Sequence, residues 1–280
     1  MVDKINFIFS NCDSIIVAGD IFETNPTGEW IKAWLANTLY SQRLNRKKMY
    51  AIFGQHDLMY HSLKRVDDTG LMVLGNSKVI NIIKSRCAID FNTVAYPMHW
   101  GDEVFPTISE SDRHYDNRIL VVHRLLVKDS PKSYGGESAK AFLRYAEKKG
   151  FNIVLSGDNH ESFYVDGEKG FLYNSGSLFR LKADQIDHTP QFGVYDTETG
   201  DFEIRKIPIT KNSVTRKHIQ EADEENINII RLMDELEGEG SLNIDFVENL
   251  NLFFEREPQR PELQSMVFES LIERRERRSQ

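Results

Sequence analysis

Over residues 1–209, short apolar runs alternate with amphipathic stretches. SIIVAGD (residues 14–20) is an apolar run closed by Gly-Asp, the pattern of a buried strand and a turn. EWIKAWLANTLYSQRL, with Trp30, Trp34 and Leu35 at helical spacing, predicts a helix. KKMYAIFGQHD and RILVVH each predict a strand followed by a loop. SAKAFLRYAEKKG predicts a helix stopped at Gly150, and FNIVLSGDNH a further strand and loop. FLYNSGS, FGVYDTETG and FEIRKIPI read as hairpin-linked strands. The first residues have helical spacing as well, with Ile5, Ile8, Phe9 and Cys12 on one side.

Four of these strands end in polar clusters: AGD, GQHD, VVH and SGDNH. In open α/β sheets, sites form beyond the carboxyl ends of the strands. Residues distant in sequence are therefore expected to converge at one edge. The pattern predicts an α/β core over residues 1–210.

After residue 210 the character changes. Residues 217–237 form a charged amphipathic pattern with Ile227, Ile230, Met233 and Leu236 on one face. EGEGS breaks it, and two more helical stretches follow near residues 245–254 and 261–275. Residues 211–280 are thus expected to be a helical segment, either a cap on the core or a docking element for a partner. ERRERR at the end is a solvated charge run.

Composition narrows the classes. At 280 residues and 40% hydrophobic content the chain can bury a sizeable core. No apolar run approaches the ~20 residues of a membrane helix. Two cysteines, Cys12 and Cys87, make no disulfide framework, and a reducing cytoplasmic setting is expected. The net charge of −8 argues against broad, non-specific nucleic-acid binding, although bound cations would offset part of it.

The strand-end clusters hold the candidate chemistry. Asp20 after Gly19 is, alone, a turn or cap aspartate. In Gly54-Gln55-His56-Asp57, Gln55 offers a carboxamide oxygen suited to Mn²⁺ or Mg²⁺. His56 could donate a proton, and Asp57 could orient its imidazole. A plain polar loop explains the cluster equally well. His123, after an apolar run, reads alone as a satisfied core histidine. Asp158 and His160 lie two residues apart past a strand end and could face one centre, or form a tight turn. Arg124 and Arg180 could contact phosphate, with surface ion pairs the simpler role. His61, His99, His114 and His188 fall outside the pattern.

The joint order of these motifs resembles the calcineurin-like metallophosphoesterases, whose motifs run GD, GNH[DE], H and GHxH. The resemblance implies a β-sandwich flanked by helices (αββα) and a site for two divalent metal ions, Mn²⁺ or Mg²⁺. It implies Asp20 as the bridging carboxylate. Gln55, His123 and Asp158 would be ligands of the second metal, and His160 a ligand of the first. His56 would be the catalytic histidine, supported by Asp57. Two such cations polarise the phosphate and activate a water for in-line attack.

The sequence departs from the family in three places. Gln55 replaces Asn and Asp158 replaces His, each keeping a ligand atom. The family's D-x-H, which supplies two ligands of the first metal, has no counterpart here. Only 19 residues precede Asp20 and the first histidine is His56. The chain is therefore expected to be a fragment or a shortened homologue with an incomplete first metal site.

Within the family the chain looks most like the SbcD-type DNA nucleases. Tyr173-Asn174-Ser175-Gly176-Ser177-Leu178-Phe179-Arg180 and the stretch from Asp187 to Asp196 carry that likeness, with Asn174 standing where those enzymes usually have Pro. The likeness implies DNA as substrate, an SbcC-type ATPase as partner, a homodimer, and a bacterial or phage-infected cytoplasm. Two alternatives stay open. One is a phosphatase of phosphoproteins or small phosphate esters. The other is a non-catalytic binding subunit on a degenerate scaffold.

Overall fold

The computed structural model describes residues 2–128, 136–179 and 188–209. The expected helical segment 211–280 lies outside the described residues, as do Arg180 and Asp187.

Helix α1 (Val2–Phe9) leads into strand β1 (Ser14–Val17), helix α2 (Glu29–Leu44) and strand β2 (Lys48–Ala51). Helix α3 (Gly70–Asn76) and strands β3 (Asn81–Ile82), β4 (Cys87–Ala88) and β5 (Thr93–Met98) follow. Next come β6 (Asn117–His123), β7 (Leu126–Val127), β8 (Glu137–Ser138) and helix α4 (Ala139–Lys148). Strands β9 (Ile153–Gly157), β10 (Phe163–Asp166), β11 (Phe171–Asn174), β12 (Gln191–Tyr195) and β13 (Phe202–Lys206) complete the described chain.

The strands form two principal sheets. One is parallel, in the order β1-β2-β3; the other has six strands, β10-β11-β9-β6-β5-β4. The small pairs β12-β13 and β7-β8 stand apart from them.

Side-chain alternation along the strands explains the layering. In β6, Ile119 and Val121 point into a cluster shared with Tyr50, Ile16 and Ala18, so they fill the space between the sheets. Leu120 and Val122, on the opposite face, pack with Phe142, Leu143 and Ala146 of α4. On the outer face of the three-stranded sheet, Leu35 and Leu39 of α2 meet Leu71 and Leu74 of α3, Ala51 and Phe53. The result is helix, sheet, sheet, helix: the expected α/β sandwich. Burying one such Leu or Phe contributes about 1.5–3 kcal/mol.

Helix α4 shows how local sequence sets an element. The Ser138 hydroxyl accepts from the Ala141 N–H at 3.4 Å and caps the start. Gly150, at φ +100°, stops it in the left-handed region. Helix α2 spans the expected residues, and Trp34, Leu35 and Leu39 pack toward the core as their spacing predicts, but Trp30 is exposed. A second correction concerns FLYN. Strand β11 is hairpin-linked to β10, which the sequence pattern did not single out, and pairs in parallel with β9. Only β12 and β13 form the expected hairpin.

Candidate active site

The polar clusters follow the carboxyl ends of β1, β2, β6 and β9. Register places His123 directly beside Gly157. Glycines let the ends of the two sheets approach closely. A Cβ on Gly157 would stand 2.1 Å from the Ala18 carbonyl oxygen, and one on Gly54 would stand 2.1 Å from Asp20 Oδ1. No other residue type fits there without moving backbone or the site carboxylate.

His123 is the centre of the arrangement. Its side chain is buried. Nδ1 donates to the Ala18 carbonyl at 2.5 Å, which ties β6 to the opposite sheet. Nε2 therefore faces inward, 2.5 Å from Gln55 Oε1 and 3.3 Å from Asp20 Oδ2. The carboxamide orientation is fixed by its other end, because Gln55 Nε2 donates to Asp158 Oδ1 at 3.0 Å. Two oxygen acceptors thus confront one ring nitrogen. Only a proton on Nε2, or a cation among three lone pairs, satisfies that geometry.

The charges agree with this. Burial opposes ionisation of Asp20, but the His123 imidazole and the His56 backbone N–H outweigh it and hold the carboxyl below its ordinary range. Burial likewise opposes a charge on His123, but Asp20 beside it keeps the imidazole above its ordinary value.

The donor set is a carboxylate, a carboxamide and an imidazole, with a second carboxylate, Asp158, held to it by Gln55. Hard oxygen donors and one imidazole suit Mn²⁺ or Mg²⁺. Adjacent ligands at ~2.1 Å from an octahedral cation stand about 3 Å apart. The 2.5 and 3.3 Å separations seen here bracket that value. Asp20, Gln55 and His123 therefore fit one cation, with Asp158 held beside them by the Gln55 amide. Among the described residues, no three His, Cys, Asp or Glu side chains form such a site by themselves.

Other expected residues sit differently. His160 is exposed, and its imidazole makes no hydrogen bond to a described residue. Its backbone carbonyl accepts from Ser177 N at 3.1 Å. His56 is half-buried; its backbone N–H donates to Asp20 Oδ1 at 2.9 Å, and its ring lies 6.1 Å edge-on from His61. Asp57 does not orient the His56 imidazole. Its buried carboxylate accepts from the backbone N–H groups of Asp20 at 2.8 Å, Gly54 at 3.0 Å and Phe22 at 3.1 Å. Those three donors cross from one strand end to the other, so Asp57 fastens the Asp20 and Gln55 loops together.

Arg124 pairs with Glu137 at 3.3 Å and donates to the Asp102 carbonyl. His99 accepts from Phe53 N at 3.1 Å and has a structural role.

Asn174 supplies what the sequence pattern did not reveal. Fully buried, it donates to the carbonyls of Asn159 at 2.8 Å and Glu161 at 2.7 Å, and accepts from the Ser156 hydroxyl at 3.2 Å. It therefore holds the loop that carries Asp158 and His160. A Pro here would make none of these bonds.

Comparison with known proteins places the site in a family. The family model described as calcineurin-like phosphoesterase matches residues 1–162, a span containing every candidate ligand. No curated protein matches the sequence. Among solved structures, the chain is similar to a novel archaeal phosphodiesterase, with 14% identity and a TM-score of 0.40 over 73% of this chain and 88% of that one. A hypothetical protein of Pyrococcus horikoshii shares 15% identity at a TM-score of 0.41, covering 82% of this chain and 86% of that one. A Staphylococcus aureus protein described as a 5′-nucleotidase shares 12% identity at 0.41, covering 80% of this chain and 52% of that one.

Proposed function

This chain belongs to the calcineurin-like phosphoesterase family, and we propose that it is a metal-dependent phosphodiesterase acting on DNA, an SbcD-like nuclease subunit. One observation carries the reading of a working site. Asp20 Oδ2 and Gln55 Oε1 both face His123 Nε2, at 3.3 and 2.5 Å.

Asp20, Gln55, His123 and Asp158 would hold a divalent cation. Such a cation polarises phosphoryl oxygens and acidifies water. The chain's own residues do the rest. Asp57 locks the β1 and β2 loops, so the ligands keep their spacing. The His123–Ala18 bond fixes the ring tautomer, as partners of ligating histidines do. His56 stands beside Asp20 with its imidazole available to give a proton to the departing sugar oxygen.

Support for DNA rests on the likeness of residues 173–180 and 187–196 to SbcD-type nucleases. The His123 imidazole among hard oxygen donors favours Mn²⁺ over Mg²⁺. An SbcC-type ATPase and a second copy of the chain are the partners this reading entails. No helix among the described residues is long and apolar enough to cross a membrane.

The test is Mn²⁺-dependent cleavage of linear DNA by the wild type beside His56→Ala. Cleavage that disappears in His56→Ala supports the proposal. Cleavage untouched by that change contradicts it. The net charge of −8 favours a second reading, hydrolysis of a small phosphate ester. Turnover of p-nitrophenyl phosphate without any cleavage of DNA would select it.

A further inference from the structure

The loop after Asp57 contains an unexplained pair of residues. Tyr60 has φ 54° and His61 has φ 53°, both in the left-handed region. A residue with a side chain is strained in that conformation. The fold gains little in return at Tyr60, whose ring is 82% exposed. Leu58, two residues earlier, is buried and anchors the loop. Strain that packing does not repay clusters at functional sites.

The pair is tied directly to the candidate site. His61 Nδ1 donates to the backbone carbonyl of Gln55 at 2.9 Å, and its ring meets His56 edge-on at 6.1 Å. One turn further on, the Arg65 guanidinium lies 6.0 Å from the centre of the Tyr60 ring. Arg65 is itself held by Asp68 at 2.8 Å. An exposed aromatic ring beside a guanidinium, attached to the backbone of a ligand-bearing loop, has the chemistry of a base-stacking platform.

We infer that Tyr60 stacks on a nucleobase flanking the scissile phosphate of a nucleic-acid strand. His61 is the positioning residue that fixes the Tyr60 loop to Gln55. This rests on the phosphodiesterase reading and adds a specificity element to it. A flat base covers the exposed face of the ring, and the strand's phosphates pass near Arg65. Discrimination is between strands with and without bases, since every base has a π-face.

The experiment is fluorescence anisotropy with labelled five-nucleotide strands in Ca²⁺, using the full chain. One strand carries thymine throughout; the other carries abasic tetrahydrofuran residues. The wild type is expected to bind the thymine strand about tenfold tighter than the abasic one. Tyr60→Ala should bind both alike, and Tyr60→Trp should restore the preference. Tyr60→Gly, which relieves the strain, should raise the melting temperature while losing the preference. Equal binding of both strands by the wild type, or a preference kept by Tyr60→Ala, overturns the inference. No turnover is required, so failure here is distinct from failure of the phosphodiesterase reading. That reading is followed separately by wild-type hydrolysis of bis(p-nitrophenyl) phosphate.

Discussion

His123 and Ala18 belong to opposite sheets, yet the imidazole donates to the Ala18 carbonyl at 2.5 Å. That one bond joins the β1 end to the β6 end and turns the other ring nitrogen toward Gln55 and Asp20. The fold and the chemistry of the site therefore depend on the same contact.

Gly157 protects this contact. An alanine Cβ would lie 2.1 Å from the Ala18 oxygen and 2.9 Å from His123 Nδ1. Backbone must then move. Gly157→Ala should destabilise the chain by about 1–3 kcal/mol in urea denaturation. Its Mn²⁺ affinity should fall in the same preparation.

Asp57 makes the core of the site sensitive to pH. Burial pushes its carboxyl up to about 6 from an ordinary 3.8, despite the opposing backbone N–H groups of Gly54 and Phe22. The folded chain thus keeps a proton that the unfolded chain has released. The resulting stability is present in full below pH 3.8 and is lost as pH rises through about 6. In EDTA, the stability of the wild type relative to Asp57→Asn should fall by about 3 kcal/mol from pH 4 to pH 7. Denaturation curves at several pH values measure it; a difference independent of pH would contradict the assignment.

Asn174 holds the loop of Asp158 through two donated bonds and one accepted bond. Asn174→Ala leaves two part-buried carbonyls short of a donor and opens a gap at a buried side chain. A loss of about 2 kcal/mol is expected. Hydrogen exchange should quicken in residues 158–161 and leave β6 protected.

Much of this was legible in the sequence because apolar periodicity and Gly-polar strand ends are local signals. The strand ends at Asp20, Gln55, His123 and Asp158 were visible as clusters, and the fold brings those four together. The role of Asp57 was not legible. A carboxylate beside His56 in sequence looks like its partner, whereas the turn geometry points it back into the backbone of β1. Asn174 was hidden for a similar reason: its bonds span 13 to 18 residues. Trp30 misled because helical spacing gives the period of a face without saying which face is covered. The glycines before Asp20, Gln55 and Asp158 were in plain view, but their meaning needs the second sheet.

The most direct test is calorimetric titration of the chelated wild type and His123→Ala with Mn²⁺. The wild type should bind the cation, and His123→Ala should bind it at least about tenfold more weakly, the scale of losing a ligand or its support. Equal affinity in both proteins would contradict a cation site built on Asp20, Gln55, His123 and Asp158.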